Sequence, residues 1–174
     1  ALDLVKNQLK IPVVYNSSGY EKPETIRLLK GYVDIYLPDL KYFSSELSRK
    51  YSKAEDYFEI ASCAIKLMIE QTGAPVFDSD GMLQKGVIIR HLVLPNCRKD
   101  SISLLHWLKE TLPDKHYLIS LLSQYTPFYN SHKYPELNRR ITTYEYESIL
   151  KEAIFLGLVE GFMQEKSSAK EEYT

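Results

Sequence analysis

APVFDSDGMLQKGVIIRHLVLP, residues 74–95, decides the fold. A short apolar run, an Asp80-Gly81 turn and a longer apolar run read as a hairpin arm, because Asp-Gly between hydrophobic runs is a strong turn signal. The second run, Val87 to Leu94, is apolar except for Arg90 and His91. That composition is expected of a strand covered on both faces, as in a parallel sheet flanked by helices. Side chains alternate along a strand, so Arg90 and His91 point to opposite faces. An arginine among valines and isoleucines needs an anion or hydrogen-bond acceptors, because burying it unpaired is prohibitive.

Strands and helices alternate outward from this stretch. Upstream, residues 1–9 read as the end of a helix, IPVVY (11–15) as a strand and KPETIRLLKG (22–31) as a short helix between Pro23 and Gly31. VDIYL (33–37) is the next strand, and SKAEDYFEIASCAIKLMIEQTG (52–73) reads as one long helix capped by Ser52 and closed by Gly73. Downstream, KDSISLLHWLKETLP (99–113) is a helix capped by Asp100 or Ser101, and HYLISLLSQY (116–125) is a strand. TTYEYESILKEAIFLGL (142–158) is a helix with Thr142 or Thr143 as cap and Glu145 early, and LVEGFMQE (158–165) adds a short strand. The order predicts an α/β chain, an incomplete, partial TIM-type β/α barrel of about four to five parallel strands with a hairpin arm. One domain is expected over 1–165, then a flexible polar tail over 166–174.

Bulk properties exclude several function classes. The 22 basic and 23 acidic side chains nearly cancel, so the basic excess of a nucleic-acid binder is missing. No apolar run reaches the ~18 residues of a membrane span, and no secretion signal is visible. Two cysteines, Cys63 and Cys97, are too few for a disulfide scaffold and lack metal-ligand spacing. Cys63 reads as a core residue of the long helix and Cys97 as an incidental loop residue; the expected compartment is a reducing cytoplasm. The loop SQYTPFYNSHKYPELNRRIT (123–142) is long and aromatic, which suits a lid or a recognition surface.

Each strand-to-helix turn is polar, and in parallel α/β folds those turns gather at the carboxyl edge of the sheet, where ligands bind. DIYLPDLKYFS (34–44) therefore puts Asp39 and Lys41 on that edge. They either pair to end the strand or present both charges to a ligand. Asn16, Ser17, Ser18 and Gly19 form a small polar turn that is neither a dinucleotide fingerprint nor a P-loop.

Together and in this order, YNSSGYE, VDIYLPDLKYFS, GVIIRHLVLPN and LLSQYTPFY resemble the radical S-adenosylmethionine enzymes, in the branch similar to pyruvate formate-lyase-activating enzyme. The resemblance implies reductive cleavage of S-adenosylmethionine to a 5′-deoxyadenosyl radical that abstracts hydrogen from a substrate, such as a glycine of a partner protein. It implies that Asn16, Ser17 and Ser18 match the family's Asp-Thr-Asn turn, that Asp39 and Lys41 match its strand-ending Asp-Leu-Lys, and that Arg90 matches its strand arginine. Gln124 stands where the activating enzymes carry a histidine, and Asn16 where the family has an aspartate. The family's Cys-x3-Cys-x2-Cys motif, which holds a 4Fe-4S cluster, is missing. The chain is therefore expected to be the carboxyl-terminal part of a longer enzyme, inactive alone and holding neither cluster nor S-adenosylmethionine alone, with no metal-ligating residue of its own. A barrel cut in this way is expected to self-associate through its open edge. The competing expectation is a stand-alone α/β module that binds a small anion or nucleotide without catalysis.

Overall fold

The computed structural model describes residues 8–158 and 161–163. Strand β1 (Val14–Ser17), helix α1 (Pro23–Leu28) and strand β2 (Ile35–Pro38) are followed by α2 (Ser45–Ser52) and α3 (Tyr57–Thr72). A hairpin of β3 (Val76–Phe77) and β4 (Leu83–Leu92) leads to α4 (Arg98–Thr111), β5 (Leu118–Leu122), α5 (Thr143–Phe155) and β6 (Gly161–Met163). The strands β1-β2-β4-β5-β6 lie side by side in that order, all parallel, and β3 pairs antiparallel with β4. Five parallel strands in chain order with helical crossovers form an incomplete β/α barrel, open between β1 and β6. The expected architecture is thus observed, hairpin arm included.

The alternation of burial along β4 explains where the core sits. Val87, Ile89 and His91 are buried against the helices, while Ile88, Arg90 and Leu92 are half-buried on the other face. The sequence suggested a strand covered on both faces. The second face stays partly open because the barrel does not close. The helix-side core joins Tyr36, Val87, Ile89, Ile119 and Leu121 of the strands to Ile65 and Met68 of α3, Leu104 and Leu108 of α4 and Ile149 of α5. Gln71 of α3 ties β2 to α1: it accepts from the Tyr36 hydroxyl at 2.8 Å and donates to the Ile26 carbonyl at 2.8 Å.

Several boundaries differ from the sequence reading. Strand β1 begins at Val14 rather than Ile11; Pro12 has no N–H to give a ladder, and Asp34 receives the Val13 N–H on its side chain at 2.8 Å. The helix read over 52–73 starts only at Tyr57, and a separate helix that the sequence did not reveal, α2, precedes it. Ser52 ends α2, Lys53 turns left-handed at φ 58°, and Asp56 precedes α3 without a side-chain cap. Asp100 and Ser101 do not cap α4, which starts earlier at Arg98; both side chains reach elsewhere. Cys63 is exposed on α3 rather than in the core. Gly73 closes α3 as expected, and Thr142 with Glu145 forms a reciprocal capping box on α5. The start of the expected amino-terminal helix, residues 1–7, and the tail 166–174 lie outside the described residues. Among the described residues, no helix is long and apolar enough to cross a membrane.

Candidate functional site at the carboxyl edge

Strand β2 stops at Pro38, but the chain keeps pairing for two more residues. The Asp39 N–H donates to the Ser17 carbonyl at 3.0 Å, and the Leu40 N–H donates to the Arg90 carbonyl at 2.8 Å. This brings three polar side chains from three strands together. Arg90 Nη2 lies 2.6 Å from Asp39 Oδ1 and 2.6 Å from Asn16 Oδ1. The Lys41 ammonium stands 3.6 Å from the other Asp39 oxygen. Asp39 and Lys41 thus interact, but Asp39 is held first by Arg90. The Lys41 head, 41% exposed, keeps its remaining donors turned toward solvent or a ligand. Arg90 Nε is buried without a hydrogen-bond partner, an orphan donor beside this cluster.

A groove of about 390 Å³ opens here, lined by Asp39, Lys41, Tyr42, Arg90 and Gln124, with Leu92, Leu94 and Leu122 as its apolar wall. Four residues expected at the site thus share one groove, and Asn16 supports it through Arg90. Ser17 and Ser18 do not line it. Ser17 Oγ accepts from the Gly19 N–H at 3.1 Å and shapes the turn, and Ser18 contributes its carbonyl to Tyr57.

Two residues that the sequence reading left out of the site hold its backbone. The buried Tyr57 hydroxyl meets the Ser18 carbonyl at 2.9 Å, the Asp39 carbonyl at 3.0 Å and, as acceptor, the Lys41 N–H at 3.1 Å. Burial raises its pKa well above the usual phenol value, so it stays protonated and remains a donor. Fully buried His91 contacts the Leu40 carbonyl through Nδ1 at 2.7 Å and Ser101 Oγ through Nε2 at 2.9 Å. A carbonyl can only accept, so Nδ1 carries the proton and Nε2 accepts from the serine. One helical turn nearby, the Asp100 carboxylate receives the Phe43 and Ser44 N–H groups at 3.0 and 2.7 Å. Nothing in a single sequence marks these partners, which are 10 to 57 residues apart.

Burial lowers the His91 pKa, opposed by its bond to Leu40 and by Asp100. The unfolded imidazole takes up a proton near pH 6.5 while the folded one resists, so stability falls as pH drops through that value. Asp100, whose pKa burial raises, acts with the opposite sign in a more acid window. Thermal midpoints between pH 7.5 and 5 should therefore decline for the wild type and flatten for His91→Asn. Parallel curves would exclude this imidazole as the source.

The donor set fits one of the two groups that the sequence resemblance implies. A lysine, an arginine with an orphan N–H, an aspartate and an amide beside leucines suit the ribose, carboxylate and apolar parts of S-adenosylmethionine. The iron-sulfur cluster does not fit. Among the described residues no three His, Cys, Asp or Glu side chains group as metal ligands. Cys63 is on the outside of α3, and burial pushes the Cys97 thiol up to about 11, away from the thiolate that iron requires.

The fold is thus that of an incomplete β/α barrel with a polar, lysine- and arginine-bearing carboxyl edge. The chain is similar to a crystal structure of a domain of pyruvate-formate lyase-activating enzyme from Bacteroides vulgatus, at a TM-score of 0.64 and 16% identity, over 94% of this chain and 89% of that one. It is also 36% identical over 144 residues to an uncharacterised protein of Methanocaldococcus jannaschii, covering 81% of this chain. The chain spans only 37% of the length of that relative. No protein-family model matches.

Proposed function

We propose that this chain is part of a radical S-adenosylmethionine enzyme resembling pyruvate formate-lyase-activating enzyme, and that its groove holds part of the S-adenosylmethionine. The observation that carries this reading is the convergence of Asp39, Lys41, Arg90 and Gln124 on one apolar-walled groove at the carboxyl edge of the open barrel. The likeness in fold to the activating-enzyme domain supports it. When bound to a cluster held elsewhere in the longer protein, S-adenosylmethionine would supply a 5′-deoxyadenosyl radical for hydrogen abstraction. The residues of this chain do positional work. Arg90 and Asn16 fix Asp39, Lys41 offers an ammonium to the carboxylate or ribose, and the leucines exclude water. The loop 123–142, with Phe128 and Tyr129 turned outward, covers the substrate, which in this reading is a glycine of a partner protein.

The test begins with the gene region upstream: a Cys-x3-Cys-x2-Cys motif there supports the enzyme, and a start codon at residue 1 sinks it. In the cluster-loaded full-length protein, Lys41→Ala should weaken S-adenosylmethionine binding roughly ten- to a hundredfold, the loss of a charge-assisted contact worth ~1.5–3 kcal/mol. Folding stability should change by under ~0.5 kcal/mol, because the exposed ammonium contributes little to the fold. Calorimetry on the same protein reads both quantities. Unchanged affinity with a lowered melting point would make Lys41 a strand-ending partner of Asp39 and nothing more.

A further inference from the structure

We infer that Tyr57 and His91 are positioning residues that hold Asp39 and Lys41 over the groove by clamping the backbone between them. The inference rests on reading the groove as the S-adenosylmethionine site and deepens it, because neither side chain is among the groove's lining residues.

Segment 39–41 has just left the sheet, where a chain normally loosens. Here almost every backbone polar group is taken. The Asp39 N–H and Leu40 N–H continue the ladder to Ser17 and Arg90. The Lys41 N–H donates to the Tyr57 hydroxyl, whose one proton is shared between the Asp39 and Ser18 carbonyls. The Leu40 carbonyl, which points to the helix side, receives Nδ1–H of His91. Two independent side chains from α3 and β4 thus pin three consecutive residues, and the outer two of the three carry the charges that face the groove.

Each clamp is braced in turn. Tyr57 stacks on Tyr20 at 5.9 Å and meets the edge of Tyr42 at 5.6 Å, so its ring cannot swing. Tyr42 itself lines the groove. His91 is oriented by Ser101 in the first turn of α4, where Asp100 fixes Phe43 and Ser44. The consequence is a preformed edge. Lys41 has four rotatable side-chain bonds of its own, and a mobile backbone beneath it would spread its ammonium over a volume that no ligand contact could recover cheaply.

The test uses conservative variants. Tyr57→Phe removes one oxygen and keeps the ring. His91→Asn keeps a donor near the Nδ1 position, and His91→Leu keeps bulk without any donor. In the free chain, amide hydrogen exchange at Lys41 should accelerate about tenfold or more in Tyr57→Phe, since its N–H loses its acceptor. S-adenosylmethionine affinity of the cluster-loaded full-length protein should fall about five- to tenfold in Tyr57→Phe and in His91→Leu, equivalent to about one hydrogen bond of ~1 kcal/mol. His91→Asn should recover most of that loss. Unaltered exchange at Lys41 overturns the clamp. Faster exchange with wild-type affinity reduces Tyr57 and His91 to structural residues and overturns their positioning role. A wild-type protein that shows the protected Lys41 amide but does not bind S-adenosylmethionine sinks the proposed cofactor and, with it, the positioning role, while leaving the backbone clamp demonstrated. If His91→Leu fails to fold, Tyr57→Phe and His91→Asn still decide.

Discussion

Glu145→Ala should lower the thermal midpoint by about 4–16 °C, taking ~2–4 kcal/mol lost and ~2–4 °C per kcal/mol for a domain of this size. The Glu145 carboxylate is buried and accepts five hydrogen bonds: from the Asn96 N–H at 2.7 Å, the Thr142 N–H at 2.8 Å, the Thr142 hydroxyl at 3.0 Å and both Arg139 terminal nitrogens at 2.8 and 2.7 Å. Alanine removes half of the capping box of α5, about 1 kcal/mol. It also removes a bidentate charged pair and takes an acceptor from the Asn96 and Thr142 N–H groups, which costs ~1–3 kcal/mol in all because both residues are exposed and water replaces part of the contact. The Arg139 side chain is 40% exposed and finds water again, which keeps the total below that of a fully buried pair. The Arg139 guanidinium holds the Glu145 carboxyl well below the usual carboxylate range. A depressed acid stabilises above its unfolded pKa, so this contribution is full above about pH 4.5 and fades as pH falls toward the folded value. Calorimetry of wild type, Glu145→Gln and Glu145→Ala at pH 7 and pH 3.5 checks both statements. A loss under 1 kcal/mol at pH 7, or a difference that grows on acidification, contradicts them.

Gly19→Ala should unfold the site locally and cost about 3 kcal/mol or more, from two sources that add. The residue sits at φ +78°, where an alanine pays roughly 1–2 kcal/mol. Its new Cβ would lie 2.1 Å from the Asp39 carbonyl oxygen, a backbone atom that cannot rotate away. Overpacking of that kind costs ~1–3 kcal/mol. Gly81→Ala is the internal control. It has the same φ of +78° with nothing within 4 Å, so only the conformational part applies, roughly 1–2 kcal/mol. Denaturant midpoints of the two variants should differ accordingly, and equal losses would remove the contact between the Gly19 turn and Asp39 from the argument.

Much of the fold was legible because it is written in local signals. The Asp80-Gly81 turn, the Gly73 stop and the Thr142/Glu145 box each act within a few residues, and the alternation of strands with helices left few topologies. Helix α2 was not legible for the opposite reason. It is a short, charged segment whose partners are distant: Lys50 and Tyr51 contact Glu136, and the Tyr134 hydroxyl donates to the Lys50 carbonyl at 2.9 Å. A helix of two turns needs such tertiary support, and propensity alone does not reveal it. The site divides in the same way. Asp39, Lys41, Arg90 and Gln124 could be placed on one edge because strand ends align in a parallel sheet. Tyr57 lies within the long helix and His91 on the strand face opposite Arg90, and neither position alone points to a role. Their significance lies in hydrogen bonds to main-chain groups that every residue type possesses.

Strand β4 has one further consequence, for how this chain can change over time. Arg90 and His91 are adjacent, yet one serves the groove and the other the helix layer. Side chains alternate with a period of two, so losing or gaining one residue between Gly86 and Arg90 would exchange both at once. A guanidinium would be driven among leucines while an imidazole faced the open side. Substitutions can be tried in this strand one at a time, but a change of length cannot. The exposed turn at 78–82, already outside the parallel ladder, is where insertions and deletions can be absorbed without disturbing that register.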